Sequence, residues 1–154
     1  MKTGAGRKWW LLLLMPLFMQ NVCGKHDDML SEPDQYITWR MNGTSSVLTV
    51  PKDSLIFSRV NNSTSLSATS KPVSNTSIDI SFDSPQQGGN YSSSNFASQV
   101  NGRYYVQGAA PLSVIVSVYG SSGQYLIGNF SGSVTDTITA ALLPVSGEFR
   151  IKVK

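Results

Sequence analysis

From Tyr36 onward the chain is written in steps of two. Ser77-Ile78-Asp79-Ile80-Ser81-Phe82-Asp83 alternates polar and apolar without a fault. Successive side chains of an extended strand point to opposite faces, so Ile78, Ile80 and Phe82 must enter a core while Asp79, Ser81 and Asp83 face water. Tyr36 to Met41 repeats the pattern with Ile37, Trp39 and Met41 inward, and Gly147 to Lys154 repeats it with Phe149, Ile151 and Val153 inward. A helix would scatter these apolar residues round its axis. Only a sheet with one buried face gathers them.

Turn chemistry divides these runs. Asn42-Gly43 and Asn101-Gly102 are hairpin signals, because both residues of each pair tolerate the positive φ that a tight two-residue turn demands. Val47 to Val50 reads as the return strand of the first hairpin, closed by Pro51. Leu55 to Val60 follows, then a turn at Asn61-Asn62-Ser63-Thr64 and a weak strand from Leu66 to Thr69. Ser84 to Ser94, with Gly88-Gly89-Asn90, reads as a loop. Gln99 to Val106 is the second hairpin, followed by Leu112 to Tyr119, a turn at Gly120-Ser121-Ser122-Gly123, and Gln124 to Val134. Thr137 to Leu143 is the one helix candidate, and it is short. Eight or nine short strands over residues 36–154 predict an all-β, single antiparallel β-sandwich of immunoglobulin-like size. The Cys–Cys–Trp signature of immunoglobulin domains is missing, since the chain holds a single Cys.

The start of the chain is different. Lys2, Arg7 and Lys8 precede the apolar run Trp9 to Met19, the order of a secretory signal. That run is shorter than the roughly 20 residues a membrane span needs, and Pro16 interrupts it. Residues 1–23 therefore read as a signal peptide and 24–35 as a flexible tether, with four of the nine acids of the chain and no apolar periodicity. Two readings of the cut remain. In one, Cys23 is the first mature residue and carries a lipid that anchors the chain to a membrane. In the other, cleavage after Gly24 leaves a soluble periplasmic or secreted protein. Gln20-Asn21-Val22 is a poor lipoprotein box, but the sole Cys sits directly after the apolar run and before the acidic Gly24-Lys25-His26-Asp27-Asp28, and this favours lipidation at the outer membrane or cell surface.

That arrangement resembles lipoproteins of the Bacteroidetes. The domain adds to the likeness through Trp39 to Gly43, the Ser-Ile-Asp-Ile-Ser strand, Gly89-Asn90-Tyr91, Ile127-Gly128-Asn129-Phe130-Ser131-Gly132 and Gly147-Glu148-Phe149. Together they resemble small uncharacterised Bacteroidetes lipoproteins grouped as a domain of unknown function. The resemblance implies no established activity and brings no catalytic residues.

Charge and chemistry exclude several functions. Charged residues make up 14% of the chain, so Ser, Thr and Asn must supply the polar surface, as suits an exported β-protein. Three of the twelve basic residues lie in the signal, which leaves nine to face nine acids. No basic stripe remains for nucleic acid. His26 has no second His to complete a metal site, and no cofactor motif is present. Serines are abundant, but no base is available to activate one. Asp53, Asp79, Asp83, Asp136 and Glu148 are expected as solvated strand positions; Asp79 and Asp83 share a face but stand roughly 13 Å apart at about 3.3 Å per residue, too far for a catalytic dyad.

Binding is the remaining class. Tyr91, Tyr104, Tyr105, Tyr119 and Tyr125 are candidates for a stacking platform, against ordinary cross-strand aromatic pairing. The adjacent Tyr104 and Tyr105 put one ring on each sheet face. Sequons occur at Asn42, Asn61, Asn62, Asn75, Asn90 and Asn129, most of them expected by chance in so Asn- and Ser-rich a chain. Asp53-Ser54-Leu55 and Asp136-Thr137-Ile138 resemble an O-glycosylation acceptor of Bacteroidetes envelope proteins. The expectation is a non-enzymatic cell-envelope lipoprotein with a structural or interaction role, tied to a membrane through a lipid on Cys23. The alternative is a carbohydrate-binding or adhesion-type module, its partner a glycan or another envelope protein and its contacts made by Tyr104 and Tyr105.

Overall fold

Residues 34–154, apart from positions 74 and 85, are described by a computed structural model. The signal, Cys23 and most of the tether lie outside the described residues. Among the described residues ten strands follow one another: β1 Tyr36–Met41, β2 Thr44–Thr49, β3 Ser54–Val60, β4 Ser63–Thr69, β5 Thr76–Asp83, β6 Gly89–Val100, β7 Arg103–Gln107, β8 Ser113–Tyr119, β9 Tyr125–Asp136 and β10 Leu142–Lys152. All pairings are antiparallel, in the order β2-β1-β10-β9-β7-β6-β5-β4-β3. The described residues form an all-β antiparallel sandwich.

The sheet curls until its two halves share one core. Phe82 of β5 reaches Phe149 of β10, with ring centroids 6.5 Å apart, and Phe96 of β6 meets Phe130 of β9 at 5.9 Å. The inward residues read from the alternation are there: Ile37, Ile78, Ile80, Phe82 and Phe149 are fully buried, and Trp39 and Ile151 nearly so. Burying side chains of this size is worth about 1.5–3 kcal/mol each, and this drives the alternation into a sheet.

Closure is supplied by β6 and β9, the two longest strands. Each pairs with β8 over one half and with β7 over the other, so β6, β7, β9 and β8 form a closed ring within the sandwich. Ser93 sits at the branch and is buried. Its N–H donates to Leu112 O at 2.9 Å, its hydroxyl accepts from Leu112 N at 2.7 Å, and the same hydroxyl donates to Gln107 Oε1 at 2.6 Å. One serine thus ties together the start and the end of the β7–β8 connection.

Three segments differ from expectation, the shortest being the turn expected at Asn61 to Thr64, which ends at Asn62 because β4 begins at Ser63. The stretch 84–94 is a loop only to Gly88, because β6 begins at Gly89. Its Ser, Gly and Asn residues have turn composition but lie between two partner strands that satisfy their backbone. At the Ser81–Phe82 step Asn95 and Ser93 take successive places, so Ser94 is an extra residue and the inward parity changes from Tyr91 and Ser93 to Phe96 and Ser98. The helix candidate Thr137 to Leu143 is a turn leading into β10. Asp136 Oδ1 accepts the N–H groups of Ile138 and Thr139 at 2.9 and 3.3 Å, and Ala140 takes φ +55°, which ends any helical path.

Candidate functional site

Three turns meet at one end of the sandwich. Asn42-Gly43 joins β1 to β2 with φ of 44° and 82°, and Asn101-Gly102 joins β6 to β7 with φ of 51° and 80°. The third is the β9–β10 turn begun by Asp136, where Asp136 N donates to Ala141 O and Ala140 N to Asp136 O, both at 2.9 Å. Between them lies a cleft of about 520 Å³, within the size range of small-ligand sites. Its floor is apolar and consists of Met41, Val100 and Leu143, members of β1, β6 and β10 at the limit of the core.

The cleft wall carries its charge. Arg103 and Tyr105 come from β7, where Tyr105 stands opposite Asp136 of β9 in the register. Arg103 Nη2 forms an ion pair with Asp136 Oδ2; the Arg103 side chain is 44% exposed and that of Asp136 only 2%. Burial alone raises the Asp136 carboxyl, but the N–H groups of Ile138 and Thr139 and the Arg103 guanidinium outweigh it and hold the group below the usual aspartate value. The aspartate is therefore ionised, fixed and locally neutralised.

An apolar patch adjoins the cleft on the outer face. Val106 of β7 and Leu142 of β10 both stand opposite Thr135 of β9, which sets the three in one row. Tyr104 projects two residues before Val106, and its carbonyl accepts both Thr137 N and Thr137 Oγ1 at 3.1 Å. Tyr104, Val106, Ile138 and Leu142 are 56%, 41%, 76% and 65% exposed. Single exposed aliphatics are common; here several are gathered beside one turn.

Tyr104 and Tyr105 thus lie on opposite faces, Tyr104 in the apolar patch and Tyr105 in the cleft. The other tyrosines are dispersed. Tyr91 stacks on Phe82 at 5.9 Å and donates to Gln87 O; the Tyr119 hydroxyl accepts Arg59 Nη1 at 2.5 Å; Tyr125 lies under Arg150 and donates to Asp34. The Asp34 contact raises the Tyr125 phenol above its ordinary value.

The carboxylates differ among themselves. Asp79, Asp83 and Glu148 are solvent-exposed as expected, but Asp53 and Asp136 are buried. Asp53 accepts Thr49 N at 2.9 Å and Lys71 N at 3.3 Å, so it binds two loops together as Asp136 binds its turn. Sequence spacing does not reveal this, because the partners of Asp53 and Asp136 are backbone amides and a distant arginine. In the two acceptor-like tripeptides, Ser54 is half-buried in β3 and Thr137 is exposed in the turn. Among the described residues no three His, Cys, Asp or Glu side chains gather as a metal site.

No family model, curated protein or solved structure matches this chain.

Proposed function

We propose that the chain is a non-enzymatic cell-envelope lipoprotein: a β-sandwich tethered to a membrane through a lipid on Cys23, which acts by binding an envelope partner. The observation that carries this reading is the exposed apolar patch in which Val106 and Leu142 flank Thr135, with Tyr104 and Ile138 beside them. The two buried carboxylates support it, since both are occupied in holding backbone and neither is free for acid–base work. The resemblance of the Cys23 region and of the domain motifs to small Bacteroidetes lipoproteins supports the anchor.

Two measurements test it. Cys23→Ser should move the protein from the membrane fraction to the soluble one; unchanged partitioning removes the anchor. A photocrosslinking residue at position 142 should capture an envelope partner in the producing cell, while one at exposed Asp79 should not. Equal capture at both sites removes the patch from the proposal.

A second reading, a carbohydrate-binding or adhesion-type module, is favoured by one separate observation. Tyr105 lies in a cleft beside a fixed Arg–Asp pair, a combination that suits a polar ligand with an apolar face.

A further inference from the structure

We propose that the cleft between the three turns takes a neutral, polyhydroxylated ring, such as one sugar unit of an envelope glycan. The inference rests on the second reading above, and gives it a site and a ligand class. Four properties of the cleft select this chemistry.

Charge comes first. Among the described residues Arg103 is the only cation lining the cleft and Asp136 the only anion, and they are paired with each other. A phosphate or carboxylate reaching Arg103 here would meet, beside it, the buried Asp136 carboxylate that already neutralises the guanidinium. An ammonium group would find Asp136 already satisfied by two backbone N–H groups and a guanidinium. The cleft as built therefore discriminates against ions of both signs.

Polarity comes second. The rim carries the side-chain amides of Asn42 and Asn101 and the hydroxyls of Thr44 and Thr139. Each amide offers a donor and an acceptor in one plane, which matches two adjacent hydroxyls of a ring. A purely apolar ligand would take the two amides out of water without replacing their hydrogen bonds. Arg103 has committed Nη2 to Asp136, and no protein partner is found for its remaining donors among the described residues.

Apolar surface comes third. Met41, Val100 and Leu143 on the floor and the ring of Tyr105 in the wall offer a face to C–H groups. A sugar ring has such a face beneath its hydroxyls, whereas a small polar solute such as an amide or polyol chain has no rigid one.

Rigidity comes last. Asn42 and Asn101 sit in the left-handed region of Asn-Gly hairpin turns, and Asp136 is fixed by three contacts. Binding loses little freedom when the groups are held beforehand.

The test uses the purified full-length chain and amide NMR. Methyl glucoside, methyl galactoside, methyl mannoside and N-acetylglucosamine are the neutral probes; inorganic phosphate and glucuronate are the charged ones. At least one neutral glycoside should produce saturable shifts confined to residues 42–44, 101–105 and 136–141, with the charged probes weaker. Asn42→Gly and Asn101→Gly keep the left-handed turns and remove only the amides. Each should weaken the glycoside by about tenfold, the equivalent of one lost hydrogen bond, with the rest of the spectrum in place. The inference is overturned by absence of saturable shifts from every neutral probe, by shifts elsewhere on the domain, by stronger binding of phosphate or glucuronate, or by unchanged affinity in both variants. Saturable shifts elsewhere on the domain would remove the cleft and keep the carbohydrate-binding reading, absence of shifts from every neutral probe would remove both, and neither result touches the crosslinking outcome at position 142.

Discussion

Phe130 on β9 stands directly across the register from Gly147 on β10, and its ring occupies the space a side chain at 147 would need. The arrangement is reciprocal: Phe149 on β10 stands opposite Gly128 on β9 and covers it in the same way. Each glycine lets an aromatic ring lie flat over the neighbouring strand, and the two rings reach across the core to Phe96 and Phe82. Two Gly–Phe pairs therefore set how closely the layers approach.

Gly147→Ala should accordingly be among the most damaging small substitutions in the domain. The added methyl would overlap the Phe130 ring and the Thr38 carbonyl, and the backbone contact cannot turn away. The expected loss is about 2–3 kcal/mol, measured by urea unfolding. Phe130→Leu in the same chain should restore part of it by relieving the ring contact, while the Thr38 contact remains. Additive losses in the double variant would show that the ring and the glycine are not coupled.

Asp136 makes stability depend on acid. Its folded-state carboxyl lies below the ordinary aspartate value: burial opposes this, but the hydrogen bonds from Ile138 and Thr139 and the contact with Arg103 prevail. A lowered folded value means that the unfolded chain takes up the proton first. The contribution is thus present in full above the ordinary aspartate value of about 3.9 and is lost as pH falls through the lower folded value. Thermal unfolding of Asp136→Asn should give a lower Tm at neutral pH and a difference from the parent that shrinks below about pH 4. A constant difference across that range would mean that the carboxylate charge is irrelevant.

Arg59 and Tyr119 link the β3–β4 hairpin to the end of β8. The Tyr119 hydroxyl accepts Arg59 Nη1 at 2.5 Å and shares a 3.3 Å hydrogen bond with Thr64 Oγ1, while Arg59 also donates to Ser84 O and Asn61 O. Thr64 is fully buried. Tyr119→Phe keeps the ring beside the guanidinium and removes only the oxygen, leaving Thr64 and one arginine donor without it. Unfolding should show a loss of about 1–2 kcal/mol, as for a polar group left unpaired. A loss much smaller than that would mean water replaces the hydroxyl.

The strands were legible because burial on one face forces a period of two. That held for Ile78, Ile80 and Phe82, for Ile37 and Trp39, and for Phe149 and Ile151. What could not be read was any change of parity, since the extra residue Ser94 is defined by its partner strand and not by its own neighbours. The same holds for the cleft. Arg103, Tyr105 and Asp136 meet because β7 is inserted between β6 and β9, a pairing that joins residues more than thirty positions apart. The two Asn-Gly turns were the local trace of that end of the molecule. Gly128 and Gly147 were visible as parts of short motifs, but the reason for them lies on the opposite strand.

The two Asn-Gly turns yield the last prediction, which separates backbone from side chain. Asn42 and Asn101 hold φ of 44° and 51°, and a Cβ added to the glycine after each meets nothing within 4 Å. Space is therefore not the constraint there; the left-handed backbone is. Asn42→Ala and Asn101→Ala should each cost about 1 kcal/mol, because alanine has neither the tolerance of asparagine for that region nor its local hydrogen bonding. The glycine variants at the same positions should lose less than the alanine ones in the same unfolding assay. If both pairs lose equally, the amide side chains stabilise the turns themselves, and their availability to a ligand in the cleft is correspondingly reduced.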